Sequence, residues 1–324
     1  GLTSGHTNYR SLLENEEIDI VSAILPVSVN PEVVLGCARM DVKAICSEKP
    51  ISASLAEADL IVEECRSRGI KFACGDLERN LPDYWKAREI IESGELGEVQ
   101  TINILSGSGT QMSGGGCQNF SLMRMFARDS NVDWVIGWVT NDPNSDYDQG
   151  AAGYVRFDNG IECFITRTPS ARSGIEVLCS HGVMYSDGDY IKLSKTEINT
   201  DKLATTTLQR MDGIFSETPL HHGFGTYDEE GWERPGPRQE ATVQSIIDSL
   251  EYNIEPRGNG DNGVKVLEIA IALRQSHRSN HAPVRLPVKD RSLKIIPVPG
   301  RWLNKKEVYG KEWYAKEIGR YTRS

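Results

Sequence analysis

Ile18-Asp19-Ile20-Val21-Ser22-Ala23-Ile24-Leu25-Pro26, Val42-Lys43-Ala44-Ile45-Cys46 and Ile70-Lys71-Phe72-Ala73-Cys74 are three short, apolar runs, and what separates them decides the fold. Runs of this kind suit strands buried on both faces of a parallel sheet. Between the first two, Pro31 to Met40 reads as a helix. Between the second and third, Leu55 to Arg68 carries apolar residues at Leu55, Ala58, Leu60, Ile61 and Cys65. It opens at Ser52 or Ser54 and stops at Gly69, as a capped helix should. Tyr9 to Asn15 looks like a short amphipathic helix ahead of the first strand. Strand–helix–strand–helix–strand spells a parallel, doubly wound, Rossmann-like sheet.

From residue 79 the pattern changes. Asp83 to Ser93 reads as one helix, closed by Gly94. Strands are expected near Val99–Ser106, Ala151–Phe157, Ile161–Thr168, Gly174–Ser180, Val183–Ser186 and Tyr190–Ser194, with Asp158-Asn159-Gly160 a hairpin turn. Consecutive strands with tight turns imply an open, mostly antiparallel sheet. Residues 199–238, rich in Gly, Pro, Thr and charge, read as an extended loop, followed by helices over Gln239–Tyr252 and Val264–His277. The tail from Leu286 holds Pro297, Pro299, Trp302, Trp313 and Tyr314 and is expected to wrap the surface or touch a partner subunit. The fold class is α/β plus α+β. Residues 1–78 form the Rossmann-like domain, incomplete at its N-terminus, and residues 79–324 the α+β domain.

The 324 residues are enough for two domains. Apolar content of 39% and charged content of 25% are globular values. Net charge of −10, with no basic stripe, argues against nucleic acid as a partner. No apolar run approaches the ~20 residues of a membrane helix, so no membrane is expected either. The first residues show no secretory signal pattern. Seven scattered cysteines without CxxC indicate a reducing, cytoplasmic setting, and no Cys/His cluster has metal-ligand spacing.

Three ordered stretches carry a resemblance. The first runs Glu14-Asn15-Glu16-Glu17-Ile18-Asp19-Ile20-Val21, then Leu25-Pro26, then Ser47-Glu48-Lys49-Pro50 and Ser54-Leu55-Ala56-Glu57-Ala58. The second is Glu78-Arg79-Asn80-Leu81-Pro82-Asp83-Tyr84 continuing through Ile90 to Val99, and the third Asp261 to Ser276 with Val284-Arg285-Leu286-Pro287. Together they span most of residues 9–290, and their order resembles the Gfo/Idh/MocA oxidoreductases, the family of glucose-fructose oxidoreductase and inositol dehydrogenase. The resemblance implies an NAD(P)-dependent protein acting on a sugar, polyol or related hydroxy or keto compound, with residues 1–78 binding nucleotide. It also implies that residues 79–324 bind substrate and pair subunits in a homodimer or higher homo-oligomer. The family's opening glycine-rich turn has no counterpart, because nothing before Tyr9 can supply a first βαβ unit, and an absent segment is favoured over true loss.

Within this resemblance Lys49 sits where substrate meets the nicotinamide and stabilises charge on the reacting oxygen; otherwise it is an exposed lysine before a helix. Leu25, Pro26, Asn30 and Glu48 join it on the cofactor side, although Glu48 and Pro50 also serve simply to shape the turn. The family's Asp-x-x-x-His pair is replaced: alignment puts Gln118 at the His and Gly114 at the Asp, and neither takes up a proton at neutral pH. Gln118 is the second catalytic candidate, as an orienting amide. Arg79, Asn80, Asn119 and His222 are candidate substrate contacts, against a structural salt bridge for Arg79 and idle, solvated His221 and His222. Asp76 and Glu78 belong to the same set, Tyr84 and Trp85 read as core, and Gly107–Thr110 and Gly114–Gly116 read as a loop over a cleft. The departures from the family pattern keep open a redox-neutral enzyme (lyase, dehydratase or epimerase) or a non-catalytic partner on the same scaffold.

Overall fold

The computed structural model describes residues 4–75, 78–105, 111–166, 173–199, 205–215 and 237–297. Helix α1 (Tyr9–Asn15) precedes a three-stranded parallel sheet, β1 (Ile20–Ala23), β2 (Ala44–Ser47) and β3 (Lys71–Cys74), in that spatial order. Registers Ala23↔Ser47 and Ser47↔Cys74 align the carboxyl ends of all three strands. The crossovers are α2 (Asn30–Ala38) and α3 (Leu55–Ser67). Helix α3 starts where the Ser54 side chain accepts the Glu57 N–H, and its Arg66 complements the helix dipole in the last turn. β2 and β3 are almost wholly buried, whereas the edge strand β1 leaves Ile20 exposed.

Helix α4 (Pro82–Glu92) leads to the larger sheet: β4 (Val99–Ile104), β5 (Val132–Val139), β6 (Ala151–Phe157), β7 (Glu162–Ile165), β8 (Ile175–Cys179), β9 (Gly182–Ser186), β10 (Ile191–Asn199) and β11 (Thr205–Arg210). Helix α5 (Gly116–Phe126) lies between β4 and β5; α6 (Pro237–Glu251), α7 (Gly260–Arg278) and β12 (Val284–Arg285) follow. The spatial order is β11-β10-β9-β8-β4-β7-β6-β5-β12, antiparallel except between β4 and β7. The architecture is the expected Rossmann-like sheet with a mostly antiparallel partner. The Asp158-Asn159-Gly160 turn joins β6 to β7, with Gly160 at φ 92°.

Two elements differ from the sequence reading. β5 goes unannounced because Asp133 and Gly137 interrupt its apolar run. β11 lies inside the expected 199–238 loop and is built from three threonines, whose backbone pairs with β10. The described part of the tail runs along the surface and is anchored by buried Val288 and Ile295, the Ile295 N–H donating to the Ala53 carbonyl. His221, Asp76, Gly107–Thr110, Pro299, Trp302, Trp313 and Tyr314 lie outside the described residues.

One hydrophobic core runs through both sheets, and α7 is its keel. Against β5 and β6 it meets two glycines. A Cβ on Gly137 would fall on the Leu273 carbonyl oxygen, and one on Gly153 would lie 2.5 Å from Leu273 Cδ2. Toward β3 the glycines are on the helix: a Cβ on Gly260 would come within 2.5 Å of Phe72, and one on Gly263 within 3.2 Å of Cys74 Cβ. Helix α6 covers the other face of β2 and β3 through Ile246 against Ala44 and Ala73.

A second tie is polar. The Arg79 guanidinium donates to the Arg257 carbonyl at 2.7 Å, the Ser121 carbonyl at 3.2 Å and Asp129 Oδ2 at 2.7 Å. Arg88 reaches the same carboxylate oxygen at 2.7 Å. Arg79, Arg88 and Arg257 also surround the Trp85 ring at 5.8, 5.3 and 5.6 Å. Burial works against ionisation of Asp129, but Arg79 and its fellow guanidiniums win and hold the carboxyl below its ordinary range.

Replacing Gly137 by alanine drives a methyl into helix backbone that has nowhere to yield. Thermal unfolding should report a loss of about 2–3 kcal/mol; an unchanged melting temperature would contradict the α7 packing.

Candidate active site

The carboxyl ends of β2 and β3 open onto a narrow cleft enclosing about 20 Å³, at the place where open parallel sheets put ligands. Lys49, Pro50, Cys74, Ser113, Cys117 and Asn262 are among its lining residues. β2 delivers Lys49 two residues beyond Ser47, and the Gly75 N–H donates to the Ser47 carbonyl at 2.7 Å. A side chain at Gly75 would place its Cβ 2.8 Å from the Lys49 backbone nitrogen, so glycine is required there for the two strand exits to converge. The Lys49 ammonium lies 3.7 Å from Glu48 Oε1, with about a fifth of its side chain exposed. Burial pushes the Glu48 carboxyl up, and the neighbouring Lys49 only partly offsets it.

The opposite wall comes from α5, its preceding turn and α7. Ser121 Oγ accepts from Asn262 Nδ2 at 2.7 Å, and Asn262 Oδ1 accepts from Arg124 Nε at 3.0 Å, closing the floor with satisfied polar groups. Ser113 is buried beside the cleft, and its hydroxyl donates to Asp148 Oδ2 at 2.5 Å. The cleft thiol Cys74 is pushed well above its ordinary value by burial and stays neutral. Among the described residues, no group of three His, Cys, Asp or Glu side chains is placed to hold a metal ion.

The residues singled out from sequence fall in different places. Gln118 reaches back from α5: its Nε2 donates to the Gly75 carbonyl at 3.1 Å and its Oε1 accepts the Glu78 N–H at 3.2 Å. It therefore bridges the β3 exit to the cleft wall. Glu78 is held beside Arg238 Nη1 at 3.8 Å, and burial raises its carboxyl. The Arg79 guanidinium is engaged inside the fold by Arg257, Ser121 and Asp129. Asn80 is buried, with Nδ2 donating to Thr242 Oγ1 at 3.2 Å. Asn119 follows Gln118 on α5 and is half-buried, and His222 lies outside the described residues. Tyr84 is core, its hydroxyl 2.9 Å from Ser186 Oγ.

At the end of β1, Leu25 is half-buried and Pro26 exposed, and Asn30 begins α2. The Asn30 side chain is fully buried, yet neither its Oδ1 nor its Nδ2 has a hydrogen-bond partner. A buried amide without partners is costly, and its donor and acceptor match what the carboxamide or ribose hydroxyls of a nicotinamide nucleotide offer. The residues present thus fit the nicotinamide end of such a cofactor. No glycine-rich strand–helix turn precedes β1 among the described residues.

Residues 3–75 match the model of the Gfo/Idh/MocA oxidoreductase family, NAD-binding Rossmann fold. Myo-inositol 2-dehydrogenase of Thermotoga maritima is 26% identical over 106 residues, 33% of this chain and 31% of that protein. D-xylose 1-dehydrogenase (NADP+) 2 of Haloferax volcanii is 24% identical over 176 residues, 49% of this chain and 53% of that protein. The matches thus span about a third to a half of these relatives. Among solved structures, an oxidoreductase domain protein from Kribbella flavida superposes with a TM-score of 0.67 at 18% identity, covering 87% of this chain and 84% of that one. An inositol dehydrogenase homolog from Azotobacter vinelandii, complexed with NADH and myo-inositol, gives 0.64 at 13% identity over 86% and 82% of the two chains. With the parallel sheet, its Glu48-Lys49-Pro50 edge and the large partner sheet in place, the chain has the two-sheet fold of these solved oxidoreductases, and its residues 3–75 are similar to the NAD-binding part of the Gfo/Idh/MocA family.

Proposed function

We propose that this chain is an NAD(P)-dependent oxidoreductase of sugars, polyols or related hydroxy and keto compounds. The observation that carries the reading is Lys49: a cation at the carboxyl edge of a parallel sheet, lining a cleft and paired only loosely with Glu48 at 3.7 Å. The inositol and xylose dehydrogenases it resembles support the substrate class.

Leu25, Pro26, Asn30, Glu48 and Lys49 would hold the nicotinamide end of the cofactor, and the bound cofactor would accept or donate hydride. Lys49 then hydrogen-bonds the reacting oxygen and stabilises negative charge as it develops. Gln118 keeps the β3 exit and the α5 wall at a fixed spacing, and Asn119 is retained as a substrate contact. A low-polarity wall of Ile51, Val266 and Leu267 strengthens the Lys49 field by excluding water. A redox-neutral reaction on the same scaffold is the second reading. It is favoured by Gln118 and Gly114, which stand where relatives carry a proton-transferring pair.

The chain is further proposed to work in the cytoplasm as a homodimer paired through the outer face of the large sheet. All seven cysteines are free, and no helix among the described residues is long and apolar enough to cross a membrane. Trp134, Tyr154 and Phe164 form an aromatic ladder on that face, with ring centroids 5.0 and 5.1 Å apart, and Phe164 and Trp138 are more than two-fifths exposed.

Two measurements check these proposals. Lys49→Ala should lower kcat/KM for polyol oxidation by about 10²-fold or more with unchanged melting temperature, and Lys49→Arg should not restore it. Undiminished turnover by Lys49→Ala rejects the site. Phe164→Glu should convert the dimer to monomer in light scattering, and a monomeric wild type rejects the pairing.

A further inference from the structure

Asp148, in the loop before β6, and Ser113, in the turn before α5, meet at the wall of the Lys49 cleft. The Asp148 carboxylate is 2% exposed. One of its oxygens accepts the Ser113 hydroxyl at 2.5 Å and the Ser113 N–H at 2.8 Å, and the other accepts the Met112 N–H at 2.8 Å. An ionised carboxylate only accepts, so the Ser113 hydrogen is committed to Asp148 and the Ser113 oxygen has lone pairs left to offer. Lys49 and Ser113 line the same cleft, one as a donor and the other as an acceptor. A substrate hydroxyl lying between them is matched on both sides.

Resting on the oxidoreductase reading above, we propose that Ser113 and Asp148 form the proton relay of this site, with Ser113 touching substrate and Asp148 acting through it. In alcohol oxidation the substrate O–H bond breaks and its proton passes to Ser113 Oγ. The Ser113 hydroxyl proton passes in turn to Asp148 Oδ2, while the electrons of the carbinol C–H bond leave as hydride to the nicotinamide. Reduction runs the same transfers backwards. After product leaves, Asp148 returns its proton through Ser113 to water in the cleft.

The surroundings suit this exchange. Burial raises the Asp148 carboxyl above its ordinary value, against the hydrogen bonds from Ser113, Met112 and Gln149 that lower it. The charged groups around it are Arg274 on α7, which donates to the Ser145 and Asp146 carbonyls, then Asp146 and Arg278, with Lys49 in the cleft. Glu78, the other raised carboxyl near Gln118, is held by Arg238 and does not line the cleft.

The first test needs no cofactor: an infrared pH titration of carboxyl C=O stretches in the whole chain, with Asp148→Asn and Ser113→Ala. The expected result is a buried carboxyl band that titrates above the ordinary aspartate value, vanishes in Asp148→Asn and shifts in Ser113→Ala. Spectra that coincide for all three proteins overturn the relay. The second test is oxidation of myo-inositol by NAD+. Each variant should lose about 100-fold or more in kcat with KM within about threefold, the double variant being no worse than either single. Asp148→Asn should also lose the acid limb of the wild-type profile. Lost kcat accompanied by a lower melting temperature and an unchanged pH profile makes Asp148 a purely structural group and overturns the relay. Turnover by all three proteins overturns the relay alone, whereas a wild type inert toward the polyol overturns the oxidoreductase reading itself.

Discussion

Helix α7 touches backbone or Cβ atoms of both sheets at once, and most of the molecule is arranged around that constraint. Gly137 and Gly153 let it settle on the large sheet, and Gly260 and Gly263 let β3 settle on it. Interiors packed at this density transmit displacement rather than absorb it. A shift in α7 would therefore move Asn262, Gly263, Val266 and Leu267, which form one side of the Lys49 cleft. The same helix carries Arg274, whose guanidinium is almost wholly buried and pins the Ser145 and Asp146 carbonyls. Those residues lead directly to Asp148. The cleft is thus a consequence of how two sheets share one helix.

Charge is handled differently in the two halves of this interface. Around Asp129 the guanidiniums of Arg79, Arg88 and Arg124 gather on one carboxylate, and Trp85 offers its ring face to the excess positive charge. Removing one partner from such a cluster strands the others in a poor solvent, which makes it a structural clamp rather than a binding surface. At the cleft the balance is looser. Among the described residues Lys49 is ion-paired with Glu48 alone, at 3.7 Å, and the burial of Glu48 and Asp148 raises both carboxyls, leaving groups whose protonation is sensitive to what binds.

The parallel sheet was legible because β2 and β3 are buried on both faces and its helices carry clear stops, as at Gly69. The hairpin at Asp158-Asn159-Gly160 was legible for an equally local reason. β5 was not, since Gly137 looks like a break until α7 is seen to need it. β11 was hidden by its threonines, whose pairing depends on a neighbour rather than on burial. For the candidate site, the Glu48-Lys49-Pro50 order singled out Lys49, which the fold places at a strand exit lining the cleft. Arg79 could not be judged, because nothing local says whether a guanidinium faces solvent or the Asp129 carboxylate. Asp148 left no trace in the sequence, because its contact with Ser113 joins a loop and a turn far apart along the chain. A small polar residue before Gly114-Gly115-Gly116 was the one signal available for Ser113.

The proposed activity requires a nicotinamide nucleotide to bind beside Lys49. Native mass spectrometry of the chain titrated with NAD(H) and NADP(H), alongside Lys49→Ala and Asn30→Ala, tests that most directly. One nucleotide bound per subunit in the wild type, and weakened in both variants, is the predicted result. A chain that takes up neither nucleotide, or binds one equally well in all three forms, would contradict it.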